Sequence, residues 1–344
     1  MPENDDSKPC ASLEAGMQQV TCLGEAMALF VPDDPYQPGC AQGAGGGSGS
    51  GATVLGYTAQ IGGAESNVAC ALARLGVPAR WIGRVGDDRF GRLVVETLAS
   101  HGVDVSEIEI DSMRPTGLYV KEFTASGTRM RYYRSGSAAS AMSPAMAGRS
   151  AVRDAPVLHL SGITPALSDS CAALVETIVG MPRSGRIVSF DINWRPALWT
   201  GREPGALLRL AQRADLVFVG ADEAEELWGI GDPDQIRRLI SAPRTLVVKR
   251  GADGAVAFEG GETVRVNAVP VDVVEATGAG DAFAAGYLAG LVRRLPLRAR
   301  LSLGARTARS ALMVSGDVVP LPAPRNGNAA DAAASAETGH TVTR

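Results

Sequence analysis

Cysteine and histidine are scarce in this sequence of 344 residues, which contains five cysteines and three histidines. The cysteines are odd in number, widely spaced and without a CxxC pair, so neither a disulfide framework nor a zinc site is indicated. We therefore expect reduced thiols that behave as small apolar side chains. Reduced thiols in turn favour a cytoplasmic location.

An excess of positive charge and a long apolar run are also lacking. The formal net charge is -4, which gives the chain no general attraction to nucleic acids or to an anionic membrane surface. No uninterrupted apolar run is long enough to span a bilayer, and the polar, acidic N-terminus is unlike a secretory signal. We expect neither a nucleic acid nor a membrane as partner. Hydrophobic residues make up 45% of the chain, enough for a large core.

Composition divides the chain into one central domain and two polar tails. Residues 1–18 and 324–344 contain few large apolar groups and are predicted to be disordered. The domain is predicted over residues 19–323. Within it, Gly39–Thr53 is glycine-rich and lacks the Lys-Ser/Thr ending of a phosphate-binding P-loop. A surface insertion is therefore predicted for this segment.

Short apolar runs alternate with longer segments of helical periodicity throughout the central domain. The runs predict buried strands of a mostly parallel sheet, and the periodic segments predict helices that flank it. After GGAESN, for example, Val68, Leu72 and Leu75 lie on one helical face. The predicted fold class is therefore α/β. The six clearest strand segments are residues 20–24, 79–83, 157–162, 186–191, 215–220 and 245–249.

Two neighbouring segments, residues 116–123 and 129–135, have a different pattern. Both are rich in aromatic and charged residues that alternate along the chain, and a short TASG turn joins them. This pattern predicts an antiparallel hairpin with one polar face. A hairpin inserted into a parallel α/β domain suits a lid better than a core, and we predict lid segments at about residues 27–62 and 115–136.

The segment VVEATGAGDAFAAGYLAG, residues 273–290, carries the strongest chemical signal. A strand end, a glycine-rich turn and a helix are predicted in succession. Gly278 and Gly280 would let an anion approach the backbone, where the free amides of a helix N-terminus bind negative charge. Asp281 is placed to accept a proton from an attacking hydroxyl. The alternative is an ordinary helix start with an aspartate in its first turn.

Two further glycine-bounded turns precede or follow predicted strands. In IGGAESN, Gly63 would allow a substrate to approach closely and Asn67 would hydrogen-bond a hydroxyl, although the segment is equally a tight strand-to-helix turn. In VVKRGADGAVAF, Gly251 and Gly254 bound a loop that can lie along a nucleotide, although by itself it is only a hairpin turn. The order of these segments, with the glycine pair early and GAGD late, is the more specific feature.

Basic side chains favour an acidic substrate over a neutral one. Arg195 directly follows a predicted buried strand, where an unpaired charge is costly, and we interpret it as functional. Lys121 lies on the first strand of the predicted hairpin. A carboxylate rewards such cations, whereas a neutral sugar needs only hydrogen bonds. Arg131 and Arg134, on the second strand, are interpreted as a solvated face of the lid.

Taken together, these segments resemble those of the ribokinase-like (PfkB-type) carbohydrate kinases over residues 20–322. GGAESNVACALARLG and GAGDAFAAGYLAG match the two diagnostic patterns of that family. TGLYVKEF with RYYRSGSAAS, then LHLSGITPALS, DINWRPALW and the late SGD, are similar to the members that act on a sugar acid. The resemblance implies a ribokinase-like fold, with a mostly parallel sheet flanked by helices and a small β lid.

The resemblance also implies a role for each matching residue. Asp281 would be the base that activates the substrate hydroxyl, and the amides of Gly278, Ala279 and Gly280 would form an anion hole. Glu223 would contribute indirectly to a Mg²⁺ site, because ATP brings this ion held largely through phosphates and water. The implied substrate contacts are Gly63, Asn67, Tyr119, Lys121, Arg195 and Asp317. The implied ATP contacts are Asn193, Trp194, Lys249, Gly251, Gly254 and Ala305.

Three positions depart from the family pattern. Lys121 stands where the lid motif has an arginine, so it keeps the charge and loses the bidentate geometry toward a carboxylate. Gly220 replaces the asparagine of the N-x-x-E motif, of which only Glu223 matches. Glu275 stands where an aspartate often opens the anion-hole motif. The sequence leaves the effect of these three changes open.

The implied reaction is the ATP-dependent phosphorylation of 2-keto-3-deoxygluconate at its C6 hydroxyl, which gives 2-keto-3-deoxy-6-phosphogluconate. Two alternatives stay open: another ribokinase-like sugar kinase, of the fructokinase or ribokinase type, and a non-catalytic sensor that binds a sugar acid. Related kinases often pair through their lids, so we expect a homo-oligomer. Selectivity between gluco and galacto epimers depends on the surroundings of one hydroxyl, which the sequence does not reveal.

Overall fold

The structure of the protein, a computed structural model, describes residues 19–33, 56–124, 127–273 and 277–313. Several sequence predictions lie outside these residues and are not tested by the structure. They are the two disordered tails, the surface insertion at Gly39–Thr53, the substrate contact of Asp317 and the effect of Glu275.

Strands and helices alternate along most of the described chain. The strands are β1 (Val20–Leu23), β2 (Met27–Pro32), β3 (Tyr57–Gly62), β4 (Ala79–Ile82), β5 (Arg84–Gly86), β6 (Glu109–Asp111), β7 (Leu118–Thr124), β8 (Gly127–Tyr133), β9 (Val157–Ser161), β10 (Ile187–Asp191), β11 (Leu216–Gly220), β12 (Thr245–Lys249), β13 (Ala255–Glu259) and β14 (Glu262–Val266). The helices are α1 (Ala64–Arg74), α2 (Arg89–Ser100), α3 (Ser150–Arg153), α4 (Thr164–Leu167), α5 (Asp169–Gly180), α6 (Gly205–Arg213), α7 (Ala221–Trp228), α8 (Pro233–Leu239), α9 (Ala279–Val292) and α10 (Leu297–Leu312). Among these described helices, none combines the length and the apolar character needed to cross a membrane.

The main sheet has eight strands in the order β14-β13-β12-β11-β10-β9-β1-β4. Neighbouring strands from β4 to β12 are parallel, whereas β13 and β14 are antiparallel to their neighbours. All six strand segments singled out in the sequence are strands of this sheet: β1, β4, β9, β10, β11 and β12. The predicted α/β class with a mostly parallel sheet is therefore confirmed.

Helices cover both faces of the main sheet, and its strands are apolar on both sides for that reason. Val68 and Leu72 of α1 are fully buried, as their helical spacing predicts, while Leu75 is partly buried. Tyr287 of α9 packs its ring edge-on against Phe218 of β11, with the centroids 5.4 Å apart. Helix α9 packs against α10 as well as the sheet, so it is buried over most of its length.

A second sheet of four strands has the order β3-β2-β7-β8. Its outer pairs are antiparallel and its central pair, β2 and β7, is parallel. Strands β7 and β8 form the hairpin that the alternation predicts, with Tyr119 directly opposite Tyr132. The rings of these two tyrosines stack with centroids 5.3 Å apart. We refer to this sheet as the lid sheet.

The carboxyl ends of three adjacent strands place polar residues at one edge of the main sheet. Asp191, Gly220 and Lys249 are the last residues of β10, β11 and β12. In open α/β sheets, ligands bind at this edge. The N-terminus of α9 lies there too, because Asp281 of its first turn is hydrogen-bonded to Asn193, two residues beyond the end of β10.

Candidate active site

The GAGD segment forms the turn and helix start that the sequence predicts. Gly278 precedes α9 with a φ of 78°, a left-handed conformation that glycine adopts without strain. The first amides of a helix have no carbonyl partner within the helix, and here they belong to Ala279, Gly280 and Asp281. The turn therefore offers free N–H groups at the positive end of a buried helix, which is a suitable site for an anion.

Two asparagines hold the carboxylate of Asp281. Nδ2 of Asn67 donates to Oδ2 at 2.9 Å, and Nδ2 of Asn193 donates to Oδ1 at 3.4 Å. Asn67 was expected to hydrogen-bond the substrate and Asn193 to contact ATP. In the structure their side-chain amides fix the orientation of Asp281, and Asn67 also lines the cavity described below. Both predicted ligand contacts stay predictions.

Burial raises the pKa of Asp281 to about 6. The hydrogen bond from Asn67 lowers this pKa, the nearby carboxylate of Asp191 raises it, and the cations of Arg195 and Lys249 lower it. A carboxylate with a pKa close to the pH of the cell combines a large ionised fraction with appreciable basicity. Raised pKa values of this kind are concentrated at functional sites.

A buried ion pair lies beside the anion-binding turn. Nζ of Lys249 is 3.0 and 2.8 Å from the two carboxylate oxygens of Asp191, whose side chain is only 2% exposed. Burial lowers the pKa of Lys249, but the carboxylates of Asp191 and Glu223 outweigh it, and the pKa is raised. A Cβ built on Gly280 would be 3.4 Å from Nζ, so the ammonium group is close to the turn. Lys249 thus adds a full positive charge to the site.

Glu223 ties two loops of the site together. Its Oε2 accepts from the amide of Gly220 at 2.7 Å, and its Oε1 accepts from the amide of Trp194 at 3.1 Å. Burial raises the pKa of Glu223, while Lys249 acts in the opposite direction. Within the described residues, no group of three or more histidine, cysteine, aspartate or glutamate side chains is arranged to hold a metal ion. Glu223 is therefore placed to orient the loops, and its indirect role toward Mg²⁺ stays a prediction.

A cavity of about 390 Å³ lies between the main sheet and the lid sheet, and Asp281 and Gly278 line it. Its volume suits a small metabolite. Gly63 also lines it, as predicted, and any Cβ at this position would collide with the carbonyl oxygen of Glu25. Only glycine fits there, since the chain after β1 passes directly against the start of α1. The remaining wall includes residues of the lid sheet and of the loop after β10.

The lid contributes different residues to this cavity from those expected. Tyr119 lines it as predicted, together with Tyr132, but Lys121 is 1% exposed and is not one of the lining residues. The cation of the lid segment that does line it is Arg134, which forms an ion pair with the buried carboxylate of Glu25. One expectation is therefore corrected, because Arg134 does not lie on a solvated face. The contact of Lys121 with the substrate stays a prediction.

Two other cations, Arg131 and Arg195, were also interpreted from the sequence, and the structure supports the argument for only the first. Arg131 is exposed and pairs with Glu122, with Nε 2.8 Å from Oε1, so its interpretation as part of a solvated lid face is confirmed. Arg195 lines the cavity, but its side chain is 51% exposed. The burial that was used to argue for its function is therefore wrong, although its position at the site supports the same conclusion.

Three of the predicted nucleotide contacts meet in a second, smaller cavity of about 70 Å³. Gly251, Gly254 and Ala305 line it, with Phe283 of α9. Gly251 and Gly254 have φ values of 53° and 86°, which explains the glycines at both ends of this turn. Trp194, another of the predicted ATP contacts, packs against the core on one face of the main sheet.

Glu25, Asp191, Tyr132 and Arg134 belong to the site, and the sequence reasoning did not assign them to it. A signal was present for each. Glu25 and Asp191 follow or end a buried apolar run, where an acidic side chain needs a partner. Tyr132 and Arg134 are two residues apart on a predicted strand, so they share a face.

Comparisons with known proteins agree with this geometry. Residues 17–324 match the pfkB family carbohydrate kinases. A 2-dehydro-3-deoxygluconokinase of Thermoproteus tenax is 36% identical over 78% of this chain and 84% of its own length. The enzyme of the same name from Bacillus subtilis is 34% identical over 87% of this chain and 91% of its own length.

A solved structure extends the likeness to the fold. The 2-dehydro-3-deoxygluconokinase of Thermotoga maritima superimposes with a TM-score of 0.76, covering 88% of this chain and 96% of that one at 22% identity. The ribokinase-like fold is therefore shown. Solved structures of the same fold, among them a putative ribokinase II of E. coli and a fructokinase of Xylella fastidiosa, contain bound ATP. The chain belongs to the pfkB family of carbohydrate kinases.

Proposed function

We propose that this kinase transfers the γ-phosphoryl group of ATP to the C6 hydroxyl of 2-keto-3-deoxygluconate. The observation that carries the proposal is the position of Asp281, which lies in the first turn of α9, beside free amides and inside a cavity of metabolite size. The names of two relatives, 36% and 34% identical to this chain, supply the substrate.

Asp281 acts as the base in this reaction. Asn67 and Asn193 orient its carboxylate toward the cavity, and the ionised form accepts the proton of the attacking hydroxyl. The free amides at Ala279, Gly280 and Asp281 stabilise the charge that develops on the transferred phosphoryl group. Lys249 adds a positive charge next to the same turn.

Arg134 and Tyr119 hold the sugar acid against the lid sheet. Glu25 pairs with Nη2 of Arg134, while the buried Nε has no hydrogen-bond partner within the described chain. A guanidinium group presents several donors in one plane, which suits a carboxylate. Arg195 is a second cation that lines the cavity.

Mg²⁺ belongs to the same proposal. The Asp191, Glu223 and Asp281 carboxylates lie near the anion-binding turn, but Lys249 already pairs with Asp191, and Glu223 accepts two amides. These residues therefore fit an ion that is held mainly by the phosphates of ATP and by water, with a carboxylate in its outer shell. Such an ion neutralises charge on the phosphates of the donor.

A panel of substrates tests the proposed function. ADP release is measured with 2-keto-3-deoxygluconate, its galacto epimer, fructose and ribose, each with and without Mg²⁺. We expect kcat/KM to be highest for a 2-keto-3-deoxy acid and to require Mg²⁺. Faster turnover of fructose or ribose would reject the substrate, and binding of the acid without ADP release would identify a sensor.

The pH dependence of turnover tests the role of Asp281. The base works in its ionised form, so protonation below its pKa of about 6 removes activity. We expect kcat/KM to fall about tenfold for each pH unit below this value and to be level just above it. A profile measured under conditions where the protein stays folded, and which is flat down to about pH 5, would contradict this role.

Substitution of Arg134 by lysine tests its contact with the acid. Lysine keeps the charge beside Glu25 and loses the fork of donors, so KM for the keto acid is expected to rise by about tenfold or more with a smaller change in kcat. Arg131→Lys is the matched control: Arg131 is an exposed residue of β8, which ends one residue before Arg134, and its replacement should leave KM unchanged. An equal effect of both substitutions would contradict the assignment.

A further inference from the structure

A second large cavity lies at the opposite edge of the main sheet from the candidate active site. It has a volume of about 470 Å³ and is lined by the beginnings of β10, β11 and β12 and by the end of the antiparallel strand β13. Active-site residues lie at the other ends of these strands, so about five residues of strand, roughly 16 Å, separate the two sites. We call it the basic cavity.

Arginine dominates the lining of the basic cavity. Five arginines line it, and two carboxylates, Asp215 and Glu259, oppose them. Asp215 pairs with Arg183 at 2.7 Å, and Glu259 pairs with Arg300 at 2.9 Å. Each carboxylate is therefore already matched by one arginine. Three further arginines also line it and form no close ion pair within the described chain: Arg186, Arg244 and Arg294. Asp215 still acts on Arg186 through space, and Glu259 on Arg244.

Arg186 is the buried member of this group, with only 5% of the residue exposed. Its Nη1 donates to the carbonyl oxygens of Val152 and Arg153 at 3.2 and 3.5 Å. Nε and Nη2 have no hydrogen-bond partner in the described part of the chain. Burial, followed by the neighbouring charge of Arg183, lowers the pKa of Arg186, although the carboxylates of Asp215 and Asp154 act in the opposite direction. A buried guanidinium with two unused donors is costly unless an acceptor reaches it.

Arg244 and Arg294 are exposed and approach the same cavity from different elements. Arg244 directly precedes β12, and Arg294 follows α9. Arg294 has a φ of 57°, a left-handed conformation that is uncommon for a residue with a side chain, and its amide donates to the carbonyl of Leu291 at 2.9 Å. The local backbone thus fixes the point from which the side chain of Arg294 extends.

Five arginines face only two carboxylates in this cavity, so a net positive charge remains, and repulsion between like charges destabilises the folded chain. An oxyanion with two negative charges removes the repulsion and supplies acceptors for the unused donors of Arg186. Guanidinium groups bind phosphate in a bidentate manner, which makes a phosphoryl group the best match. We propose that the basic cavity binds a small phosphorylated anion at a site separate from the active site.

Helix α9 connects the two sites physically. Its first turn carries Asp281, and Tyr287 and Leu291 of the same helix line the basic cavity. The helix is 14 residues long, and the whole of it is therefore about 21 Å from end to end. The ring of Tyr287 also lies under the guanidinium of Arg300, 5.7 Å from its centroid. An anion bound here thus contacts residues of the helix that carries the proposed base.

Binding is tested by isothermal titration of the full-length protein with inorganic phosphate and with glycerol 3-phosphate. The active site is first saturated with a non-hydrolysable ATP analogue and Mg²⁺, so that the anion-binding turn of α9 is occupied. Sodium chloride at equal ionic strength and citrate serve as comparison anions. We expect saturable binding of both phosphates, with chloride producing none.

Three variants locate the site. The double variant Arg244→Gln/Arg294→Gln is expected to weaken phosphate binding by about tenfold or more, because it removes two charged donors. Arg238→Gln removes an exposed arginine outside the cavity and should leave binding unchanged. Since Arg244 and Arg294 are exposed, their replacement should preserve folding; Arg244→Lys/Arg294→Lys provides a second pair that keeps the charge.

The proposal fails if phosphate binding is not saturable, if the double glutamine variant binds as tightly as the unmodified protein, or if citrate binds more tightly than either phosphate. The first two results exclude the site, and the third assigns it to carboxylates. These outcomes do not depend on the sugar that the kinase phosphorylates.

Discussion

Replacement of Asp281 by asparagine is expected to lower kcat by about 10²- to 10⁴-fold, the range that general base catalysis contributes. Asparagine has nearly the same size and can still accept the hydrogen bond from Asn67, but it cannot take the proton of the attacking hydroxyl. Affinity for ATP should change little, because the amides of Ala279 and Gly280 remain free. Turnover and nucleotide affinity are measured separately, by ADP release and by titration.

The matched control for this substitution is Asp222→Asn. Asp222 is an exposed aspartate in the first turn of α7, which directly follows β11. Like Asp281 it lies at the start of a helix, but it is not one of the residues that line the cavity. It should keep full activity. If Asp281→Asn kept most of its activity, or if both variants lost the same amount, Asp281 would be an ordinary helix-start residue.

The largest effect on stability is expected for Lys249→Met. This change leaves the carboxylate of Asp191, which is 2% exposed, without its cation, and breaking a buried pair in this way costs about 3–5 kcal/mol of unfolding free energy. The loss is measured by urea denaturation of the ligand-free protein. Because Lys249 also lowers the pKa of Asp281, the acidic limb of the pH–rate profile should move to higher pH.

The double variant Lys249→Met/Asp191→Asn tests whether the lost stability comes from the unpaired carboxylate of Asp191. It removes both charges, so most of the lost unfolding free energy should return, whereas Lys249→Met alone stays destabilised. If the single variant were as stable as the unmodified protein, the ion pair would contribute nothing to the unfolding free energy. If the double variant were less stable still, the two residues would act independently.

Much of this fold follows from local patterns in the sequence. The six apolar runs that became strands of the main sheet are buried on both faces, and continuous apolar runs are typical of such strands. The hairpin of the lid sheet was predictable because alternation and a short turn specify both strands and their pairing. The GAGD turn was predictable because a left-handed glycine and a helix start have strong local preferences.

The contacts between distant segments were not predictable in the same way. Nothing local to Asn67 reveals that its amide binds Asp281, which is more than two hundred residues away. The interpretation of Arg134 as solvated was wrong for a related reason, since the sequence does not say which positions of the hairpin face the cavity. The partner that draws Arg134 inward is Glu25, which is distant in sequence.

The order of strands also lies beyond local patterns. Glu25 owes its position to the chain that leaves the main sheet after β1 and enters the lid sheet at β2. Arg195 shows the same limit on a smaller scale. It follows a buried strand, but the loop turns outward immediately, so the side chain is half exposed.

The pairing of Arg134 with Glu25 limits how this enzyme can be recombined with its relatives. One partner belongs to the lid hairpin, while the other lies on the link that joins the lid to the main sheet. A chimaera that receives only a foreign β7–β8 hairpin would separate two residues that function together. Grafts intended to change the sugar accepted by such kinases should therefore transfer the link at Glu25 with the hairpin, so that a buried acid is never left facing a mismatched side chain.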